Sequence, residues 1–380
     1  MARTIKIAAV QMDANPAPTA DRLARADRLA VEAAEAGAQL VVLPELFNTG
    51  YAYTDANHRL AEPPAGPTAA WMKETAARLN VHLAGTLMLL DQDEVYNALL
   101  LFAPDGRVWR YDKQYPWGWE RGYFRGGNRI TVAETDLGDI GTLICWDTAH
   151  AELWKRYAGR VDLMLICSCP PDISNSTFYF PNGDSFTFDD LGPLMESTKR
   201  GARLLFGDTI NQQTGWLGAP SVNTVGTGRI ETAIPNGRGT FLAFLSAAPW
   251  MAKYLPQANR MRMSCDMTPG CKVVDASGQV LAELTQEQGE TFTIAEVTLA
   301  DEKPRPRNPQ PKPLVSFMTY LTSDVLLPAL AISTYRRGLR RAWGKEMAPV
   351  DAAARKWTIL VGVGVVAGFL VGLLRGRKRS

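Results

Sequence analysis

The chain has 380 residues, 46% of them apolar and 21% charged, enough for one large α/β domain with appendages or for two average domains. Its net charge of +2 sets 41 basic against 39 acidic residues, with the basic ones crowded toward the C-terminus. Five cysteines without paired spacing argue for a reducing compartment over a disulfide framework, and three histidines that do not cluster with them argue against a metal site.

The opening residues enter an alternating run, Ile5-Lys6-Ile7-Ala8-Ala9-Val10-Gln11-Met12, which reads as a strand and not as a secretory leader. Residues 16–37 have helical spacing. The apolar run Gln39-Leu40-Val41-Val42-Leu43 then reads as a strand that ends in Pro44-Glu45. A helix over 68–79 and strands over 81–90, 96–102 and 107–111 follow, the last entered through the turn Pro104-Asp105-Gly106 and leading to Asp112-Lys113. Strands alternating with helices, many of the strands apolar throughout, indicate sheets covered by helices.

The run Gly141-Thr142-Leu143-Ile144 stops at Cys145-Trp146-Asp147, and a helix-like stretch over 148–157 begins there. A thiol delivered by a strand to a helix N-terminus is expected to have a lowered pKa and to act as a nucleophile. Glu45, Lys113 and Cys145 all stand at strand ends, where α/β folds place their chemistry. Together they supply a base, a cation and a nucleophile, a complete set for acyl transfer. His150 lies five residues past Cys145 on the departing helix, so a Cys–His pair is not expected. Cys167 and Cys169 read as core-facing.

Four pieces, Ile7-Ala8-Ala9-Val10-Gln11, Leu43-Pro44-Glu45, Tyr111-Asp112-Lys113 and Ile144-Cys145-Trp146-Asp147, resemble in order and separation the nitrilase superfamily of carbon–nitrogen hydrolases. The resemblance runs from about residue 4 to 300. It implies a four-layer α-β-β-α sandwich, usually dimeric, with Glu45 as general base, Lys113 beside the oxyanion and Cys145 as nucleophile. The loop from Lys113 through Trp117-Gly118-Trp119-Glu120 to Gly126-Gly127 resembles that of aliphatic amidases. It implies a second active-site acid at Glu120, although the spacing from the lysine is one residue shorter here. Proximity of Glu45 and Glu120 would raise the pKa of one of them. Trp117, Trp119, Trp146 and Tyr51 are the expected pocket residues.

Past the strand 161–167, residues 172–265 depart from the compact family pattern. They carry the aromatic clusters Phe178-Tyr179-Phe180 and Phe186 with Phe188, and Arg203-Leu204-Leu205-Phe206 reads as a strand. The rest reads as loops over the site or as an oligomer contact. A hairpin turning at Ala276 to Gly278 and a last strand over 292–297 close the hydrolase domain, 1–303.

Residues 304–313 hold five prolines and read as a stiff linker. Residues 314–356 read as a basic interfacial segment, and 358–374 are seventeen residues without a charge, flanked by Lys356-Trp357 and by the basic tail 375–380. At 1.5 Å per residue such a helix is about 26 Å long, near the ~30 Å hydrocarbon core. A transmembrane helix over 357–374 is therefore expected, with Gly364, Gly368 and Gly372 on one face for close helix approach. Seven basic residues against two acids in 336–356 favour a single span with the catalytic domain on the cytoplasmic side of a bacterial-type inner membrane. A hairpin with 314–334 as a second span is the alternative topology.

The expected protein is a membrane-anchored, homo-oligomeric amidase acting on a small-molecule or lipid-derived C–N bond, with no cofactor, metal or nucleic-acid partner. The alternatives are a nitrilase, toward which Cys145-Trp146 leans, and a catalytically silent membrane scaffold.

Overall fold

The computed structural model describes residues 3–192, 195–245, 248–307 and 309–344. The first half builds a sheet from β1 (Arg3–Asp13), β2 (Leu40–Val42), β3 (His82–Asp91), β4 (Glu94–Phe102) and β5 (Val108–Asp112), in that spatial order. Strands β1 to β3 run parallel, and β4 and β5 return as an antiparallel meander. Helix α1 (Thr19–Glu35) makes the first crossover, and α2 (Asn57–Leu60) with α3 (Pro67–Leu79) makes the second.

A second sheet contains β6 (Val132–Thr135), β7 (Gly138–Ile144) and β8 (Leu163–Cys167), with α4 (Ala151–Tyr157) as the crossover between the parallel β7 and β8. Along β1, Ile5, Ile7 and Ala9 point into the core shared with the second sheet, whereas Ala8, Val10 and Met12 pack with α1 and α3. Both faces of the strand are buried, so its apolar run is nearly continuous, as expected for a sheet covered on both sides. Helix α1 meets that face with Ala26, Leu29, Ala30 and Ala33, a stripe at helical spacing. On the far side of the second sheet, Tyr157 of α4 donates to the Thr142 carbonyl at 2.7 Å. The layers are helix, sheet, sheet, helix.

Within residues 172–266, the stretches 173–191 and 229–266 build a subdomain of their own. Strands β9 (Thr177–Tyr179) and β10 (Ser185–Thr187) pair with each other. Further along lie α5 (Glu196–Lys199), α6 (Gly201–Leu204), α7 (Ile210–Leu217), β11 (Ser221–Thr224), β12 (Gly226–Thr227), β13 (Arg229–Ala233), α8 (Gly237–Leu245) and β14 (Arg262–Asp266). Strands β10, β9, β14 and β13 form a separate four-stranded sheet. Phe178 stacks on Phe186 with centroids 4.8 Å apart, and Phe241 and Phe244 of α8 meet the pair edge-on. The aromatic clusters are thus a second core. Strand β11 instead joins the second main sheet beside β8, and β12 pairs with β1. Strands β15 (Cys271–Val274) and β16 (Val280–Leu284) form the expected hairpin, and β17 (Thr291–Leu299) runs antiparallel to β1.

Two expectations are corrected here. Arg203-Leu204-Leu205-Phe206 is helical: α6 passes through a π turn at Leu205–Thr209 directly into α7. A short apolar run reads alike for a strand and a buried helix, and here Leu205, Phe206 and Ile210 are buried at helical spacing. The proline-rich stretch itself also does not leave the domain. Arg307 N–H donates to the Trp216 carbonyl and Gln310 Nε2 to that of Ala151, both at 2.8 Å.

Then α9 (Phe317–Tyr320) continues through a π turn, Leu321–Leu326, into α10 (Leu327–Trp343). The contact face of α10, Leu327, Ala331, Tyr335, Gly338 and Leu339, is buried on the body. Gly338 lies under the His58 ring, where any Cβ would come within 2.1 Å of it. The opposite face, Arg336, Arg337, Arg340 and Arg341, is exposed. The segment 317–343 is long and apolar enough by composition to cross a membrane, and in this structure one face of it packs on the protein. The expected transmembrane helix 357–374, its glycine stripe and the basic tail lie outside the described residues.

Candidate active site

Strand β2 ends at Val42, and the Leu43-Pro44-Glu45 turn that follows is held on several sides. Leu43 N–H bonds the Ala84 carbonyl at 2.8 Å, Glu45 N–H that of Ser168 at 3.3 Å, and Leu46 N–H the Thr86 hydroxyl at 2.8 Å. Buried Arg22 of α1 donates to the carbonyls of Phe47, Asp13 and Asn15 at 2.7, 2.8 and 2.8 Å, fixing the chain just beyond Glu45. Lys113 follows β5, its N–H bonded to the Asn97 carbonyl at 3.0 Å.

Cys145 begins a short 3₁₀ turn (Cys145–Ala149) after β7, at φ 49°. A non-glycine residue in this left-handed region is strained, and such strain is held only where the surroundings over-determine it. Asp147 supplies that hold. Its carboxylate accepts from Tyr111 Oη at 2.7 Å, from the N–H groups of Gln114 and Tyr115 at 3.1 and 2.8 Å, and from Ile144 N–H at 3.2 Å. One buried acid thereby joins the cysteine turn to the loop after Lys113.

At the centre, the Lys113 ammonium lies 2.7 Å from Glu45 Oε1 and 2.7 Å from Glu120 Oε2, with all three side chains at most 1% exposed. Glu45 Oε1 also accepts from Asn97 Nδ2 at 2.7 Å, while Oε2 is buried without a hydrogen-bond partner among the described residues. Glu120 accepts from Tyr51 Oη at 2.6 Å and from Trp117 N–H at 3.0 Å. Tyr51, Trp117, Glu120, Cys145 and Trp146 line one cavity together with Ile173, Thr319 and Ser323.

The charges fit this burial. Desolvation pushes the Glu45 carboxyl up to about 7, against the pull of Lys113 and with the push of Glu120. Burial alone would lower the Lys113 pKa, but the two carboxylates more than offset it, so the ammonium stays charged. The Cys145 thiol is raised well above the usual range by burial and then by Glu45, with Lys113 opposing. This overturns the expectation of a thiol acidified by a helix terminus. The turn at Cys145 is a single 3₁₀ turn, α4 starts only at Ala151, and desolvation dominates.

The expected residues Glu45, Lys113, Glu120, Cys145, Tyr51, Trp117 and Trp146 therefore lie together. Trp119 does not share their cavity: its indole N–H donates to Thr240 Oγ1 at 3.3 Å and its ring lines a neighbouring one. Three partners escaped the sequence reading: Asn97, Asp147 and Asp324. Asp147 stands in the Cys-Trp-Asp run, so its position was visible but its role was not. Asp324 accepts from Trp146 Nε1 at 2.7 Å and bonds His150 Nε2 at 3.1 Å, across 178 and 174 residues of chain. Nothing in a single sequence signals such a contact.

With this geometry in hand, likenesses to other proteins converge on one superfamily. The family model described as carbon–nitrogen hydrolase matches residues 6–183. A nitrilase of Pyrococcus abyssi is 32% identical over 159 residues, covering 40% of this chain and 60% of that protein. An omega-amidase of Danio rerio is 32% identical over 158 residues, covering 39% and 57%. The matched region thus spans about three-fifths of the length of these relatives. Among solved structures, a CN-hydrolase superfamily protein of Xanthomonas campestris, with an arsenic adduct in its active site, aligns at TM-score 0.54 and 19% identity over 79% of this chain and 91% of its own. A mutant amidase of Nesterenkonia sp. AN1, carrying acrylamide on its active-site cysteine by Michael addition, aligns at TM-score 0.54 and 20% identity over 79% and 94%. The fold is that of the nitrilase superfamily.

Proposed function

We propose that this protein is a carbon–nitrogen hydrolase of the amidase type, with Cys145 as nucleophile, Glu45 as general base and Lys113 as the cation that meets the developing oxyanion. The observation that carries the reading is the buried Glu45–Lys113–Glu120 cluster, whose Glu120 lines one cavity with the strained Cys145. Because the thiol is held protonated, attack and proton loss occur together: the Sγ–H proton passes to Glu45 as sulfur bonds the amide carbon. Charge that develops on the carbonyl oxygen is balanced by the Lys113 ammonium. Collapse breaks the C–N bond, and Glu45 returns the proton to the departing ammonia or amine. Water then gives a proton to Glu45 as it attacks the thioester, and on collapse the C–S bond breaks and Glu45 passes that proton to Sγ, releasing the acid and restoring both the thiol and the carboxylate. Glu120 holds Lys113 in place and, through Tyr51, the wall of the cavity. It also favours an amide over a nitrile, although Cys145-Trp146 resembles the nitrilases.

We further propose that the protein is a homo-oligomer anchored to a membrane by 357–374, its catalytic domain cytoplasmic. The exposed arginines of α10 support the placement, since they suit an anionic lipid surface.

The test is ammonia release from a panel of amides and nitriles, with Cys145→Ala as control. A short α-halo amide should label Cys145, the one cysteine of the five in a described cavity. Labelling at Cys265 or Cys271 in place of Cys145 would sink the assignment.

A further inference from the structure

The cavity that holds Cys145 is one of an adjoining pair. Trp117, Ile173, Thr198 and Ser323 line both, forming a waist between them. The proximal cavity encloses about 470 Å³ and the distal one about 720 Å³, mouths included. Their chemistry differs. The proximal cavity carries Glu120, Tyr51 and Cys145, while the distal one has no ionisable residue among the described residues of its wall. Trp119, Phe188, Phe244, Met318, Leu326 and Leu327 are among the aromatic and aliphatic residues of that wall.

Two structural elements close over the pair. The subdomain contributes Phe188 and Phe244, and the α9–α10 segment contributes Met318, Thr319, Ser323 and Leu326. This segment passes through a π turn where it crosses the waist, at Leu321–Leu326. The other π turn, Leu205–Thr209, places Leu205 and Phe206 in the proximal wall. Such turns recur at functional sites because they re-aim side chains within a helix.

The direction of the substrate follows from proton transfer. The amide nitrogen receives its proton from Glu45, so it faces the carboxylate cluster. The carbon chain on the other side of the carbonyl is left the apolar remainder of the cavity, which includes Trp117 and Ile173 at the waist. We propose that the substrate is an amide with a long apolar acyl group, its carbonyl at Cys145 and its tail running past Trp117 into the distal cavity beneath α9 and α10. This rests on the hydrolase reading and specifies its substrate class. A small polar amide leaves the distal cavity unused, whereas an apolar tail exchanges water for aromatic and aliphatic walls.

The experiment is a chain-length series of unbranched primary amides, acetamide to dodecanamide, assayed by ammonia release on the full chain at one fixed non-ionic detergent concentration. The expected kcat/KM rises by about fourfold per added methylene until the tail fills the distal cavity, then levels. A flat or falling series, with acetamide or butanamide still hydrolysed, overturns the substrate class and leaves the hydrolase reading standing. No ammonia from any member overturns both. Ala243→Trp and Leu326→Trp fill the distal cavity from opposite walls, so one variant covers for misfolding of the other. In either, the dodecanamide-to-butanamide ratio of kcat/KM should fall at least tenfold, and an unchanged ratio overturns the proposal.

Discussion

Asp324 accepts a hydrogen bond from the indole of Trp146, the residue next to Cys145, at 2.7 Å. The same carboxylate bonds His150 Nε2 at 3.1 Å. The C-terminal helical segment is therefore tied to the nucleophile's own turn by one acid. Its position over the cavity and the geometry at Cys145 are linked physically, not merely adjacent.

That tie depends on pH. Burial lowers the His150 pKa, but the Asp324 hydrogen bond and charge, with Asp147 and Glu152 nearby, more than offset it and the pKa is raised. Tyr115 stacks on the ring at 3.5 Å between centroids, and Tyr320 meets it edge-on. A raised folded pKa contributes stability that is fully present below the unfolded value and lost as pH rises through the folded one. Hydrogen-exchange protection over 317–343, taken relative to the intrinsic rate at each pH, should be greatest at mildly acidic pH and fall as His150 deprotonates. Asp324→Ala should remove this pH dependence; an unchanged profile in the variant would place the titration elsewhere.

The Glu45 carboxyl, raised to about 7, sets the acid limb of activity. The base must be ionised to accept the thiol proton, so kcat/KM should rise with pH through about 7 and then level. Glu45→Gln should lower kcat by roughly 10²- to 10⁴-fold, the usual worth of a positioned base. A profile with its limb at the ordinary carboxylate pKa, about 4.3, would mean that Glu45 is not the group observed.

Lys113 neutralises two carboxylates that are themselves out of water. Lys113→Met would leave both without their cation, a change that costs about 3–5 kcal/mol in buried pairs. Urea unfolding should show a lower midpoint, with the extrapolated unfolding free energy reduced by that margin. Adding Glu120→Gln to the same chain should recover part of the loss, because one of the two opposed charges is then gone. If the single variant unfolds at the wild-type midpoint, the cluster does not carry the charges assigned to it.

Deletion of 357–380 removes the uncharged stretch but no residue of the described body. The truncated chain should keep its activity and leave membranes in a high-salt wash, because salt screens the attraction of Arg336, Arg337, Arg340 and Arg341 to anionic lipid. The full chain should resist the wash and need detergent. Full-length protein recovered without detergent would refute the anchor.

By itself the sequence determined the strands that carry Glu45, Lys113 and Cys145. Glu45 and Cys145 stand at the ends of strongly apolar runs, whose burial is decided locally by composition, and Lys113 at the end of a strand entered through the Pro104-Asp105-Gly106 turn. The Trp117 to Glu120 loop was legible for the same reason, as a dense aromatic stretch directly after the lysine. What only the tertiary structure decided is everything set by long-range packing. The Cys145 thiol is raised because the whole chain desolvates it, an effect that outweighs the helix-terminus argument made from its neighbours. Leu204 to Phe206 became helical because a short apolar run suits either period, and only the surface it met could choose. Residues 314–343, read as a departure from the domain, close its site because Asp324 meets Trp146 and Gly338 admits the His58 ring. Local pattern states which residues seek burial; which partner satisfies them is a property of the assembled fold.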